Sequence, residues 1–395
     1  MKLRKQKKVD IIVKYFFPVT AGIEVNVMET YRRLVEMGWD VTLHTSTNTY
    51  LKKNWLPREE LMNGIRVKRY PFKWYGFFPE IDYSTTDIVT LHNFDIFPHL
   101  HILGRTLVAK MFGKKNYKLA ITPHGGFNPE WRIFSFIEKI VKSTYHYTLG
   151  TILINLVVDG VRAVSEWEKD EMIKKGVRTS LIRVIDNGIE DEAYVDIDRL
   201  ASRQIKKKVE SFGKYIFQMG RVYKIKNYET TIKALALLPS DVKYIIAGPI
   251  QEEGNYIKNL RELISSLKLQ ERVLFIGVLK GIDKYYVVKH AQLMVHMALW
   301  ESYCNVIHEG LSQGLPCVVA NNTALPLLIK NDINGYCVET RNYKSVADKL
   351  NYILKNKNTP KIKKMEETNR EFGLKNSWQS VSEKINDFYS TLIGS

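Results

Sequence analysis

Short runs of β-branched and aromatic residues alternate with amphipathic stretches through the first half of the chain: VDIIVKYFF, EVNVMETYRRLVEMG and DVTLHTS, then DIVTLHN, KLAITPH and VRAVS. Strand-length runs separated by helical patterns predict βαβ units and a parallel sheet. In residues 25–37, Val27, Met28, Tyr31, Leu34 and Val35 share one helical face, and Gly38 supplies the stop before the next strand. The pattern restarts at KYIFQMG and runs on through NYETTIKALALL, VKYIIAG, NYIKNLRELISSL, RVLFIG and AQLMVHM. Between the two series, in RVIDNGIEDEAYVDIDRLASRQIKKK, polar residues replace the core pattern and Asn187-Gly188 reads as a turn, which puts a domain boundary near Ile189. Beyond Gly335 the chain reads as helical and charged, and SWQSVSEKINDFYSTLI has apolar residues at helical spacing suited to packing onto a surface. The expected architecture is α/β, with two doubly wound domains, residues 1–188 and 189–375, facing across a cleft and a helix over residues 376–395. Ligands in such sheets bind at the carboxyl ends of strands.

Composition fits that picture. A chain of 395 residues has room for two to three domains at about 150 residues each. With 45% hydrophobic and 26% charged residues, it is neither disordered nor low in complexity. Its longest apolar stretch, YTLGTILINLVV, is too short to span a bilayer. The basic start MKLRKQKK is followed by a run that carries Asp10 and Lys14 and lacks a signal-peptide cleavage pattern, so export is not expected. Three cysteines without C-x-x-C spacing indicate neither a disulfide framework nor a zinc ribbon, and a cytoplasmic location follows. The formal charge of +17 favours polyanionic partners: nucleic acid, anionic lipid or phosphorylated substrates.

Two segments carry candidate chemistry. In ALWESYCNVIHEGLSQGLPCVVANN a strand, loop, helix and strand follow one another. If Ser302, Tyr303, Cys304 and Asn305 open the helix, their free N–H groups suit a diphosphate. Glu309, one turn inside, can accept from vicinal hydroxyls, and Glu301 would meet the far end of the same ligand. In QMGRVYKIKN a strand ends at Gly220, and Arg221 and Lys226 follow, a forked cation and a compact one of the kind that binds phosphate. Taken singly, each pair also reads as solvated surface charge.

The order GR-x4-K, then E-x7-E, then GLP resembles the retaining nucleotide-sugar glycosyltransferases of family four, glycosyl transferases group 1. PVTAGIEVNVMETYRRLVEMGWDVTLHTS, the HG of TPHGG, AVSEWEKDEM and VIDNGIE extend the resemblance over nearly the whole chain. The resemblance implies a GT-B fold of two Rossmann-like domains, with the C-terminal helix returning to an acceptor-binding N-terminal domain. It implies that Arg221 and Lys226 bind the donor diphosphate, with Gly220 and residues Ser302, Tyr303, Cys304 and Asn305 around it. Glu309 would bind the ribose and Glu301 the transferred sugar; the loop around Gly22 would close over the phosphates, and His124 would face the donor sugar. It further implies a hexosyltransferase in which the departing phosphate oxygen takes the acceptor proton, without a side-chain nucleophile. No D-x-D pair sits in a suitable loop, so no metal and no cofactor beyond the nucleotide-sugar substrate, such as a UDP- or GDP-sugar, is expected. The chain departs from the family pattern at Met297 and Ala298, where Pro-Ser is usual, at Cys304, where glycine is common, and at Ala21, in place of the first of two glycines.

Competing readings are weaker. A hydrolase using Glu301 and Glu309 needs carboxyls about 5 to 9.5 Å apart, whereas eight residues along a helix rise roughly 12 Å. A nucleic-acid-binding or non-catalytic nucleotide-binding protein is suggested by pI 9.4 and by Lys206, Lys207 and Lys208, but no recognition motif accompanies them and no nucleic-acid partner is expected. An NAD-dependent oxidoreductase would need a G-x-G-x-x-G after its first strand. Basic MKLRKQKK and KMFGKKNYK, interleaved with Trp74, Phe77, Phe112 and Tyr117, predict a peripheral protein on the cytoplasmic membrane face, with an anionic lipid surface as partner and a glycan or lipid-linked acceptor. Residues 73–82 are among the variable loops expected to choose it.

Overall fold

In the computed structural model, which describes residues 6–19, 21–49, 56–250 and 255–394, the β-rich runs of the first half become strands β1 (Lys8–Ile12), β2 (Asp40–Ser46), β3 (Glu59–Met62), β4 (Ile65–Tyr70), β5 (Ile88–His92), β6 (Lys118–Thr122), β7 (Gly160–Ala163) and β8 (Ile182–Val184). They form one sheet in the order β3-β4-β2-β1-β5-β6-β7-β8. Every pairing is parallel except β3 with β4. That hairpin turns on Asn63 and Gly64, at φ 49° and 79°, the two positive angles a two-residue turn needs. The Asn-Gly signal stood in the sequence, yet the βαβ pattern alone did not anticipate the hairpin.

The second half contributes β9 (Tyr215–Met219), β10 (Lys243–Ala247), β11 (Val273–Phe275), β12 (Leu293–His296), β13 (Cys317–Ala320) and β14 (Gly335–Val338). Their order is β11-β10-β9-β12-β13-β14, all parallel, which is the doubly wound order with its switch point between β9 and β12. Residues 335–338 are therefore a buried edge strand, and the helical pattern expected beyond Gly335 begins only afterwards. A short all-apolar run such as GYCV has too little length to show a period.

Two units result: residues 1–188 with 378–395, and residues 189–377. The last helix, Trp378–Gly394, returns to the first unit and buries Trp378, Val381, Ser382, Ile385, Phe388, Tyr389 and Leu392, a stripe at helical spacing. These side chains join Val27, Tyr31 and Leu34 of the Gly22–Glu36 helix and Val9, Ile11 and Val41 of the sheet in one core. Trp39 Nε1 donates to Asn386 Oδ1 at 2.9 Å. Asn187-Gly188, expected as a turn, forms none: a Cβ at Gly188 would lie 2.6 Å from the Trp378 nitrogen, so close approach, not turn geometry, requires glycine there. Asn187 meanwhile accepts from Asn26 at 2.7 Å.

The aromatic residues expected at a membrane surface divide. Trp74 is 87% and Phe112 71% exposed, whereas Phe77 and Tyr117 are core residues at 2% and 4%. The first five residues of MKLRKQKK lie outside the described residues. Lys206, Lys207 and Lys208 ride on the Arg203–Phe212 helix, whose Ile205, Val209 and Phe212 point inward, so the run is that helix's solvated side.

Candidate active site

The switch point gathers the second unit's chemistry. After β9, Gly220 takes φ +143°, a backbone conformation that disfavours any other residue, and its carbonyl accepts from the Tyr228 hydroxyl at 2.8 Å. A short turn, Lys224–Lys226, leads to Asn227, whose amide donates to the Met297 carbonyl at 2.8 Å. Leu299 N donates to the Ile225 carbonyl at 2.7 Å. The loops after β9 and β12 are thus stitched together. Met297 and Ala298, the departures from Pro-Ser, are fully buried and offer only their carbonyls to Asn227 and Asn322.

This stitching brings Lys226 Nζ to Glu301 Oε1 at 2.5 Å, and His296 Nε2 to the same oxygen at 2.7 Å. Burial by itself would raise the Glu301 carboxyl; the Lys226 ammonium and the His296 hydrogen bond outweigh it and hold the group at about 2. With Glu301 ionised, His296 must donate through Nε2, and its buried Nδ1 has no partner among the described residues. Burial lowers the His296 pKa, the adjoining carboxylate opposing it. His296 escaped the sequence reading although it ends a strand, the same position that singled out Arg221 and Lys226. Arg221 itself is exposed, its guanidinium 5.9 Å from the centre of the Tyr223 ring.

The helix expected to open over residues 302–305 begins at Asn305 and runs to Ser312, with Cys304 as its cap. Ser302 and Tyr303 precede it, and the Tyr303 hydroxyl turns into the core to meet His308 Nδ1 at 2.9 Å. Cys304 has φ 83°, which explains why glycine suits this position: a side chain here carries backbone strain. Because Glu301 lies before the helix, the helical separation used against a hydrolytic pair does not apply. The two acids are instead distinguished by their partners. Glu309 Oε1 accepts from Lys284 at 3.2 Å, and Lys284 also binds Glu190, so one ammonium serves two carboxylates. Burial raises the Glu309 carboxyl to about 7, Lys284 opposing and Glu190 reinforcing the shift. Its other oxygen, Oε2, is buried with no hydrogen-bond partner among the described residues. Neither Lys284 nor Glu190 was legible in the sequence; the one signal is a lysine inside the otherwise apolar helix face of DKYYVV.

Only one grouping among the described residues could hold a metal ion: His296, Glu301 and Cys304, whose ligand atoms lie within 4.8 Å of one another. The Lys226 ammonium already sits on the Glu301 oxygen such an ion would take.

In the first unit, His92 ends β5 and His124 follows the neighbouring β6. His124 Nε2 meets His92 Nδ1 at 2.9 Å, His92 Nε2 meets the Tyr31 hydroxyl at 2.8 Å, and Tyr31 meets Tyr389 of the last helix at 2.6 Å. Burial, then the charge of Arg162, keeps His124 neutral, and His92 is held neutral by burial and His124. His124 has φ 51°. Its loop is pinned by Glu168 of the AVSEWEKDEM segment, whose carboxyl oxygens accept from Gly125 N and, at 2.8 Å, from Val164 N. Gly22, expected in a loop, is instead the first residue of the Gly22–Glu36 helix, which Ala21 caps through a hydrogen bond from its nitrogen to Glu24 at 2.9 Å.

In a doubly wound sheet of this order, the switch point where Lys226 and Glu301 meet is the place where ligands bind. Residues 20–193 match Glycosyltransferase Family 4 and residues 201–372 match Glycosyl transferases group 1. The chain belongs to the family-four, group 1 glycosyltransferases, enzymes with the GT-B fold that use nucleotide-sugar donors. Its relatives include the phosphatidylinositol N-acetylglucosaminyltransferase GPI3 subunit of Saccharomyces cerevisiae, 22% identical over 97% of this chain and 82% of the relative. N-acetyl-alpha-D-glucosaminyl L-malate synthase of Bacillus anthracis is 25% identical over 95% and 94%. In fold the chain is similar to HepE of Anabaena, seen with UDP and glucose, at TM-score 0.75 and 19% identity over 98% of this chain and 100% of that one.

Proposed function

We propose that this glycosyltransferase moves a hexose, with retention of configuration and without a metal ion, from a nucleoside diphosphate to a hydroxyl of a membrane-held, lipid-linked or glycan acceptor. The observation that carries the reading is the shared contact of Lys226 and His296 on one oxygen of Glu301 at the switch point. Both contacts fall on Oε1, which leaves Oε2 to accept from hydroxyls of the transferred sugar. Lys226 and Arg221 then neutralise charge that grows on the diphosphate as the anomeric C–O bond breaks, an interaction stronger in the transition state than in the ground state. The acceptor oxygen bonds to the anomeric carbon from the face the diphosphate leaves, and its proton passes to the departing phosphate oxygen, so the step needs no protein nucleophile. An ammonium and a guanidinium take the place a divalent ion would fill. Glu309, with an unpartnered buried oxygen, supplies the acceptor a ribose hydroxyl needs. His124, kept neutral, can donate to or accept from a sugar hydroxyl, and the helix start at Gly22 offers N–H groups to phosphate.

The acceptor reading draws on relatives that act on lipids: phosphatidylinositol for the yeast subunit and a diphosphoundecaprenol sugar for an Escherichia coli galactosyltransferase 27% identical over 43% of this chain and 44% of its own length. No helix among the described residues is long and apolar enough to cross a membrane, and a cytoplasmic-face peripheral enzyme needs none. The test is a thermal-shift screen of UDP- and GDP-sugars with EDTA present, followed by transfer assays with the stabilising donor. A ligand at 100 times its dissociation constant adds about 2.7 kcal/mol. Stabilisation by no nucleotide sugar, or only with a divalent ion, refutes the proposed donor chemistry.

A further inference from the structure

Three helices of the first unit, His99–Met111, Phe136–Tyr147 and Leu149–Val157, lie together, the last packed against both of the others. Their inner residues, among them Ile102, Leu103, Tyr145, Leu153 and Ile154, complete the core beside β5 and β6. Their outer residues are also apolar. Phe136, Ile137, Ile140 and Val141 are all exposed, the first two at 76% and 74%, and their spacing makes a single stripe along one side of the helix. Ile152 and Leu156 extend it on the next helix, and Met111 and Phe112 stand at the end of the third. Lys110 Nζ joins those two helix ends by donating to the Leu156 carbonyl at 2.7 Å. Scattered exposed apolar residues need no explanation, but a face of this extent marks an interaction surface.

The charge around the face selects the partner. Residues 105–117 and 134–156 together hold six lysines and arginines and one acid, Glu138. That acid is taken up in capping its own helix through Ser135. Lys139 and Lys142, half-buried, stand on the same helix to one side of the stripe, and Lys114 follows Phe112 on exposed chain. A lysine stem can lie along apolar surface while its ammonium reaches outward, the arrangement that suits anionic headgroups above acyl chains. We propose that this three-helix face seats the enzyme on an anionic lipid surface. The proposal rests on the membrane-held acceptor reading above and names the side chains that make the contact.

The test is co-sedimentation of the full chain with phosphatidylglycerol–phosphatidylcholine vesicles and with pure phosphatidylcholine vesicles, at low and high salt. Two double variants accompany the wild type: Ile137→Glu with Ile140→Glu, and Lys139→Glu with Lys142→Glu. Thermal stabilisation by UDP and GDP is measured on the same samples, because it reports the donor site without any lipid. The expected result is binding to anionic vesicles that weakens with salt and falls at least about tenfold in each double variant, with melting temperature and nucleotide stabilisation unchanged. No binding of the wild type to anionic vesicles at low salt overturns the proposal, as do double variants that bind like the wild type. Concentration-dependent dimers that the isoleucine variants abolish, without vesicle binding, assign the face to a second copy of the chain. Failure of nucleotide stabilisation alone counts against the donor reading and leaves the vesicle result standing.

Discussion

Replacing Lys226 with methionine keeps the length of the side chain and removes its charge, leaving Glu301 with His296 as its one remaining partner. A carboxyl held at about 2 instead of its ordinary 4.5 represents about 3.5 kcal/mol at about 1.4 kcal/mol per pH unit, net of burial and shared between Lys226, the larger contributor, and His296. Both side chains are largely buried, so solvent screening removes little of it. An independent route, the cost of stripping one partner from a buried ion pair, gives about 3–5 kcal/mol. Lys226→Met should therefore destabilise the protein by about 3 kcal/mol at pH 7. Adding Glu301→Gln should restore most of the loss, because no unpaired charge is left. The native carboxyl titrates below the unfolded one, so the pair's contribution is present above about pH 4.5 and fades as pH falls toward 2. Urea denaturation of the wild type, both single variants and the double variant supplies the cycle. Kinetics with the identified donor adds the second readout: a fall in kcat of about 100-fold or more for Lys226→Met, the scale of losing one charge-stabilising donor. A coupling near zero between positions 226 and 301, or a loss confined to KM, refutes the reasoning.

Trp378→Ala should cost about 3–5 kcal/mol and unfold the first unit ahead of the second, which a split calorimetric transition would reveal. Glu309→Gln, which keeps shape and one acceptor, should weaken nucleoside diphosphate binding yet leave binding of inorganic diphosphate unchanged, as measured by calorimetry. Tyr31→Phe breaks the line from Tyr389 to His124 and should lower kcat by up to about tenfold, the worth of one hydrogen bond, with KM for the donor unchanged. Burial holds His99 at about 4, and neither ring nitrogen has a partner among the described residues. Its unfolded form takes up a proton first, so stability falls as pH drops from about 6.5 to 4, by about 2 kcal/mol at pH 5. The raised carboxyls Glu168 and Glu309 act oppositely. Urea midpoints at pH 7 and 5 for wild type and His99→Leu isolate the histidine, and equal pH slopes would contradict its role.

The alternation of apolar runs and amphipathic stretches was enough to determine two wound sheets, because strand and helix periods are local properties of the chain. Lys226 and Glu301, which the structure brings together, stood out for a related reason: a charge just past the carboxyl end of a parallel strand has few places to go, whereas Arg221, singled out on the same ground, is exposed. What the sequence could not express was pairing. That Lys226 and Glu301, 75 residues apart, share one contact with His296 depends on β9 and β12 becoming neighbours, which strand order decides and spacing does not. The same holds for Lys284, placed between Glu190 and Glu309 by helix packing, and for His92, drawn to His124 because β5 and β6 pair. Faces were equally hidden. Phe77 and Phe112 are alike as letters, and only the packing of the sheet against its helices buried one and left the other beside a basic, solvent-facing stripe.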